Sequence, residues 1–412
     1  MSRQERVSPI YFALFASLYA LQGVVVAYFF NFNQLYMIAA GVTEEHAAGI
    51  QSLALIPFIL KFLGGPLSDR VNFFGFGHRK PYIILGLLVE SLGLVGLAQL
   101  DPSRSSTSFT IVAILTVTGL ALYDTCCDGM VIDITPPTDR SRVQGMLVAA
   151  RAIAAMVCSL AFGYWLDIKG IPTVRYHQVL WACAALGLIP LALAVRCQEP
   201  SRASDAERFQ WAALKVLILP RSLVLLAFGG LYSVVGYGVE INLSPYYQSL
   251  HFNKSEIGRL SSMRYVGRAV GAALLTLASR RFGRGLILAF GIVSLAATTA
   301  GQAYVGGFAS ATVQGFGFGL ANGWDDAIFF VLAMEASDPR MAASTYALFM
   351  AVSNVSVAGG YLFSLMKSAF GGRYGSAFLV AAGLTLVSLA LIPPLKRSPS
   401  KTAEPDDGVT IA

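Results

Sequence analysis

Charge is scarce in this chain. Asp, Glu, Lys and Arg make up 13% of its 412 residues, about half of the ~25% usual for a soluble domain. There are only four histidines and five cysteines. No C-x-x-C or His/Cys spacing is present, so neither a zinc site nor a disulfide framework is supported. Walker-type phosphate loops, H-E-x-x-H and G-x-S-x-G are all lacking. Neither ATP-driven work nor hydrolysis is indicated, and we expect no enzyme, no metal and no cofactor. A face of Arg and Lys interleaved with aromatics is also missing, so nucleic acid is not an expected partner. Long polar stretches are rare. The longest, RCQEPSRASDAERFQWAALK, covers about 196–215.

Apolar residues fill the rest. They reach 55% of the chain, and the mean hydropathy is +0.62. A membrane helix needs about 20 mostly apolar residues. Twelve such segments are expected, near 10–31, 46–66, 81–100, 109–133, 143–164, 177–195, 222–243, 255–278, 285–304, 307–334, 343–366 and 374–394. The first continues past Phe30 without a cleavage site, so it reads as a retained helix. With an even number of spans both ends share one side. That side holds 19 Lys and Arg and the opposite loops hold 6, so both termini are expected in the cytoplasm. The compact loops suit a bacterial inner membrane, and we expect a monomer surrounded by lipid.

The polar stretch divides the chain. We expect one six-helix unit over 1–195, a cytoplasmic linker over 196–221, a second unit over 222–394 and a disordered cytoplasmic tail over 395–412. The units echo each other. GLALYDTCCDG (119–129) is answered by GLANGWDDAIF (319–329), and Arg140 by Arg340, both at an offset of 200. The expected fold class is an all-α membrane protein of twelve helices in two pseudo-symmetric six-helix bundles. Parallel repeats of this kind place a substrate site between the units near the midplane.

Span two ends in GGPLSDRVNFFGFGHRKPYIILG (64–86). This resembles the major facilitator motif G-x-L-x-D-R-x-G-R-K. Gly65, Leu67, Asp69 and Arg70 match its first part. Gly77, Arg79 and Lys80 match its second, displaced by the insertion VNFFGF. The resemblance implies a cytoplasmic gate built on Gly65, Asp69, Arg70, Arg79 and Lys80. The longer stretch 55–86, together with Asp124, Asp128 and Gly129, is similar to the muropeptide, siderophore, folate–biopterin and acetyl-CoA permeases. Lys61 fits that pattern as well. A lysine there either snorkels to the interface or touches substrate.

The interior charges carry the functional reading. Asp124 and Asp128 are four apart and share a helix face. Asp133 lies half a turn out of phase, ahead of Pro136–Pro137, and is expected to pair at the gate with Arg70, Arg79 or Arg142. An ionised carboxylate inside a membrane helix costs about 2.5–3.5 kcal/mol on insertion scales. Asp124 and Asp128 therefore form either a proton-coupling site or an ion pair with Arg151. Arg264 and Arg268, also four apart, either bind an anionic group bidentately or neutralise Asp325 or Asp326. Glu240 completes the interior acids considered, five against the three arginines, which favours proton coupling. Gln22, Tyr19, Asn31 and Tyr232 are expected to line the cavity, and Trp324 either stacks on a planar substrate or packs. These readings point to a proton symporter importing an organic anion or amphiphile. The alternative is an efflux carrier for drugs or metabolites driven by proton antiport.

Overall fold

Prolines and short polar residues set where the helices begin. The structure, a computed structural model, describes residues 8–61, 68, 72, 77–135, 140–199, 218–337, 346, 348–351 and 354–396. Gly65, Asp69 and Arg70, most of the expected 196–221 linker, and the tail beyond residue 396 lie outside the described residues, as do the side chains of Arg140 and Arg142.

Pro9 opens α1 (Pro9–Asn31), which runs into the short α2 (Asn33–Ala39). A proline at the first helical position loses nothing, since that N–H has no partner inside the helix. Thr43 caps α3 (Glu44–Ala54) by accepting from His46 N, and Glu44 and Glu45 lie in its positive first turn. The second span, expected as one helix over 46–66, is instead broken after Ala54. Pro57 opens a separate short turn, α4 (Pro57–Leu60). Proline lacks the N–H that would continue the ladder, and its ring clashes with the carbonyl four residues back.

Next come α5 (Lys80–Leu97), α6 (Ser106–Ile134), α7 (Arg140–Asp167), α8 (Pro172–Leu186) and α9 (Leu188–Arg196). Helices α1–α9 form the leading set. The trailing set is α10 (Pro220–Ser249), α11 (Lys254–Ala278), α12 (Arg284–Gln302), α13 (Phe308–Ala336), α14 (Gly359–Ala369), α15 (Tyr374–Val387) and α16 (Ile392–Leu395), with a 3-10 turn Asn354–Ala358 entering α14. Asn253 and Glu256 start α11 with a reciprocal capping box.

Among the described residues, nine helical stretches are long and apolar enough to cross a membrane. Helices α11 and α13 are long enough as well, and both carry charge in their interiors: α11 holds Arg259, Arg264 and Arg268, and α13 holds Asp325 and Asp326. Leu92, Val313 and Leu277 are each at least 60% exposed, as a lipid-facing belt requires. The chain is an integral membrane protein.

The helices alternate between two faces. One, the terminal face, carries the start of α1 and the end of α16. The other is the distal face. The leading and trailing sets meet chiefly where α7 packs on α11 and α3 on α14.

Candidate functional site: two charge clusters facing across the helix bundle

The first cluster belongs to the leading set. On α6, Asp124 and Asp128 lie one turn apart. Asp124 is paired with Lys61 Nζ at 3.1 Å. Asp128 accepts the Tyr19 hydroxyl and has no ion pair among the described residues. The pairing of Asp124 or Asp128 with Arg151 that the sequence allowed is therefore not the one formed. Lys61, placed just past α4 by the break in span two, reaches Asp124 first. Arg151 is exposed on α7, with no ion pair among the described residues. It stands within electrostatic range of Asp128 in the leading set and of Asp326 in the trailing set. Gly23 brings α1 and α7 together at this level: a Cβ there would meet Arg151 O at 2.2 Å.

The second cluster belongs to the trailing set. Glu240 on α10 is buried, accepts a hydrogen bond from Arg268 Nη2 at 3.0 Å and forms an ion pair with Arg264 Nε at 3.6 Å, both arginines lying on α11. Arg268 Nε also reaches Asp326 Oδ2 at 3.4 Å. Tyr232 donates to Asp326 at 3.3 Å, and the Arg268 guanidinium sits 5.2 Å from the Tyr237 ring centre. Gly319 and Gly323 let α13 press onto α11 at these arginines, since Cβ atoms there would meet Arg264 O at 2.1 Å and Arg268 O at 1.9 Å.

Several expected site residues fall elsewhere. Asp325 does not join Asp326. Consecutive helical residues point about 100° apart, and the Asp325 carboxylate lies over Gly291 of α12, buried, with neither oxygen hydrogen-bonded. Trp324 is packing: its indole donates to Ile287 O at 3.0 Å and its ring lies 4.7 Å from that of Phe290. Asn31 links the two sets, accepting from Arg264 Nη2 at 2.6 Å and donating to Ser159 Oγ at 3.3 Å. Gln22 is buried with its Oε1 unbonded. One interior acid escaped the sequence count. Glu90 on α5 is fully buried beside Tyr123, with neither oxygen well hydrogen-bonded. A single Glu within IILGLLVESLG was its only signal. Counting Lys61 and Glu90, four interior cations face six acids, and Asp128, Glu90 and Asp325 are the three without an ion pair among the described residues.

At the terminal face Arg79 pairs with Asp133 at 3.5 Å, while Lys80 Nζ donates to Val195 O at 2.9 Å. The carboxylate of Glu199, unremarked in the sequence, accepts the backbone N–H groups of His78, Arg79 and Lys80 at 2.8–3.0 Å, a charge-assisted cap on α5. At the distal face the acceptors come from the leading set and the donors from the trailing set. Asp167 takes the N–H groups of Lys254 and Ser255 at 2.8 and 3.0 Å. Glu44 pairs with Lys367 and accepts Tyr374 Oη at 2.9 Å. Glu45 accepts Ser368 Oγ at 3.3 Å. The sets are thus tied together distally. Burial lowers the Lys254 ammonium at this edge to a pKa of about 8, against the opposing pull of Asp167.

The sequence profile of the Major Facilitator Superfamily matches residues 7–361. The chain belongs to this superfamily. The resemblance carried by Gly65–Lys80 and by the repeat is thereby confirmed at superfamily level, and the superfamily is one of transporters rather than catalysts. Multidrug resistance protein MdtH of Proteus mirabilis is 30% identical over 147 residues, 36% of this chain and 32% of that one. Probable folate-biopterin transporter 7 of Arabidopsis thaliana is 33% identical over 155 residues, 37% of this chain and 34% of that one. An AmpG-like transporter of Rickettsia bellii is 21% identical over 271 residues, covering 62% and 64%. The matches to the first two relatives span about a third of their length. The crystal structure of nucleoside transporter NupG aligns over 95% of this chain and 100% of its own, with a TM-score of 0.73 at 13% identity. That likeness concerns the fold.

Proposed function

We propose that this major facilitator protein is a secondary transporter that imports an anionic organic solute together with protons. In this reading the leading and trailing sets are two six-helix halves, twelve helices in all, with the terminal face cytoplasmic in a bacterial inner membrane. The observation that carries it is Arg151. It is an exposed residue with no ion pair among the described residues, and it is within electrostatic range of Asp128 of one set and of Asp326 of the other. Such a group suits a carboxylate or phosphate, which it binds bidentately. Asp128, bonded to Tyr19 and to no cation among the described residues, is the acid that exchanges the proton. Asp124 is engaged by Lys61. Glu240, Asp326, Arg264 and Arg268 form a balanced network that holds the trailing side of the site, with Tyr232 on Asp326. The substrate class follows the permease group that the 55–86 stretch resembles, and the AmpG-like and folate–biopterin relatives support it. An uptake screen with labelled muropeptides, siderophores, folates and CoA esters, in cells carrying the full chain or none, tests this. Accumulation of an anionic member is expected, and uptake of neutral solutes alone contradicts it.

The MdtH relatives favour a second reading, proton-antiport efflux of drugs or metabolites. It predicts that expression lowers drug susceptibility and that everted membrane vesicles accumulate the drug. Uptake into intact cells without either effect rejects it.

A further inference from the structure

The break in span two has a consequence for coupling. Past Ala54 the backbone bonds tighten to i+3, with Phe58 N on Leu55 O at 3.1 Å and Ile59 N on Ile56 O at 2.8 Å. A broken membrane helix leaves carbonyls that other groups must satisfy. Two side chains do so here. Asn354 Nδ2, from the 3-10 turn of the trailing set, donates to Phe58 O at 2.9 Å. Thr125 Oγ1, next to Asp124, lies 3.2 Å from Lys61 O and shares its one proton between that carbonyl and Ala121 O at 2.9 Å. The same short segment ends in Lys61, whose Nζ lies on Asp124. One stretch of five residues thus holds the acid pair through a side chain and the opposite helix set through its backbone.

We propose that Lys61 is a positioning residue for proton coupling: its ammonium occupies Asp124, leaves Asp128 to exchange the proton, and transmits the charge state of this pair through Pro57–Lys61 to Asn354. The proposal rests on the proton-coupled reading above. When both acids are ionised, Lys61 is held by two negative charges one turn apart. A proton taken up by Asp128 removes one of them, and the segment is released against Asn354. The other groups around the pair do not replace Lys61. Tyr19 of α1 and Cys127 and Tyr123 of α6 are neutral neighbours. Glu90 of α5 lies beyond Tyr123, and Tyr346 approaches Asp128 from the trailing set. Arg151 of α7 is the other cation in range, and it forms no ion pair among the described residues.

The test uses the full chain in lipid nanodiscs, spin-labelled at Arg104 and Tyr304. Both are exposed at the distal face, one in each set. The distance distribution is followed from acid to alkaline pH. The wild type is expected to switch with a single midpoint, and Asp128→Asn to stop switching. Lys61→Met should move the midpoint up by about one pH unit or more, the scale set by removing an adjacent opposite charge. Lys61→Arg should keep it. Asp124→Asn, which frees Lys61 for Asp128, should move it down. A wild-type midpoint in Lys61→Met overturns the assignment, because a merely structural lysine changes yield without moving the midpoint. If that variant does not fold, an unmoved midpoint in Asp124→Asn overturns it instead. Absence of any pH response in the wild type is the separate outcome that removes the proton-coupled reading, and this assignment with it.

Discussion

Glu240 holds two guanidiniums with one carboxylate, and that makes it the most exposed point of the trailing cluster to mutation. Removing one member of a buried pair leaves its partner's charge uncompensated, at about 3–5 kcal/mol. Glu240→Gln should therefore lower the thermal stability of the purified protein by a loss on that scale, read as a drop in unfolding temperature in detergent. Asp325→Asn removes no ion pair and should lower it much less. An equal drop for the two would show that Asp325 belongs to the network. Which residues were legible follows from this same contrast. Asp124 with Asp128, and Arg264 with Arg268, were readable because a spacing of four fixes a shared face whatever the tertiary structure. The divergence of Asp325 from Asp326 follows from the same helical geometry. The partners were not readable. Lys61 on Asp124, Glu240 on Arg268 and Asn31 on Arg264 join residues 63, 28 and 233 positions apart, and no local period encodes such contacts.

Helix ends and helix breaks govern the next scale. The distal tie depends on Asp167 accepting from the N-terminus of α11, where a negative charge is worth about 0.3–1 kcal/mol. Asp167→Asn should loosen that end, and the amides of Lys254 and Ser255 should exchange with solvent up to about fivefold faster. Unchanged exchange would show that α11 is held there by packing alone. The neighbouring Lys254 has a folded pKa of about 8, below its ordinary value near 10.5. The folded state therefore binds fewer protons than the unfolded state between these values, and stability gains as pH rises through this window. Lys254→Met should accordingly be more stable than the wild type at pH 7, with the difference shrinking by pH 10. A difference independent of pH would assign the effect to packing. Hydropathy made the nine apolar spans among the described residues readable, but not the break at Pro57. A single proline in an apolar run is also compatible with a kink, and only the tertiary setting of Phe58 O and Lys61 O decides between them.

At the scale of the whole molecule, two helix sets meet with opposite arrangements of charge. The leading set offers Asp128 and an Arg151 without an ion pair among the described residues, and the trailing set offers a network around Glu240. The distal ties through Asp167, Glu44 and Glu45 join the sets on one face. The repeat and the motif at Gly65–Lys80 were enough to find the superfamily, because both are local patterns. The distal ties were invisible, since each joins a loop-edge acid to a donor on a helix distant in sequence. In the proposed cycle a proton on Asp128 and an anion on Arg151 move together. This coupling is tested most directly in proteoliposomes, as uptake of an anionic solute driven by an imposed inward proton gradient, in the wild type, Asp128→Asn and Arg151→Ala. Gradient-driven accumulation is expected in the wild type, with loss of the gradient dependence in Asp128→Asn and a weaker apparent affinity for the anion in Arg151→Ala. Uptake that keeps its gradient dependence in Asp128→Asn contradicts the coupling.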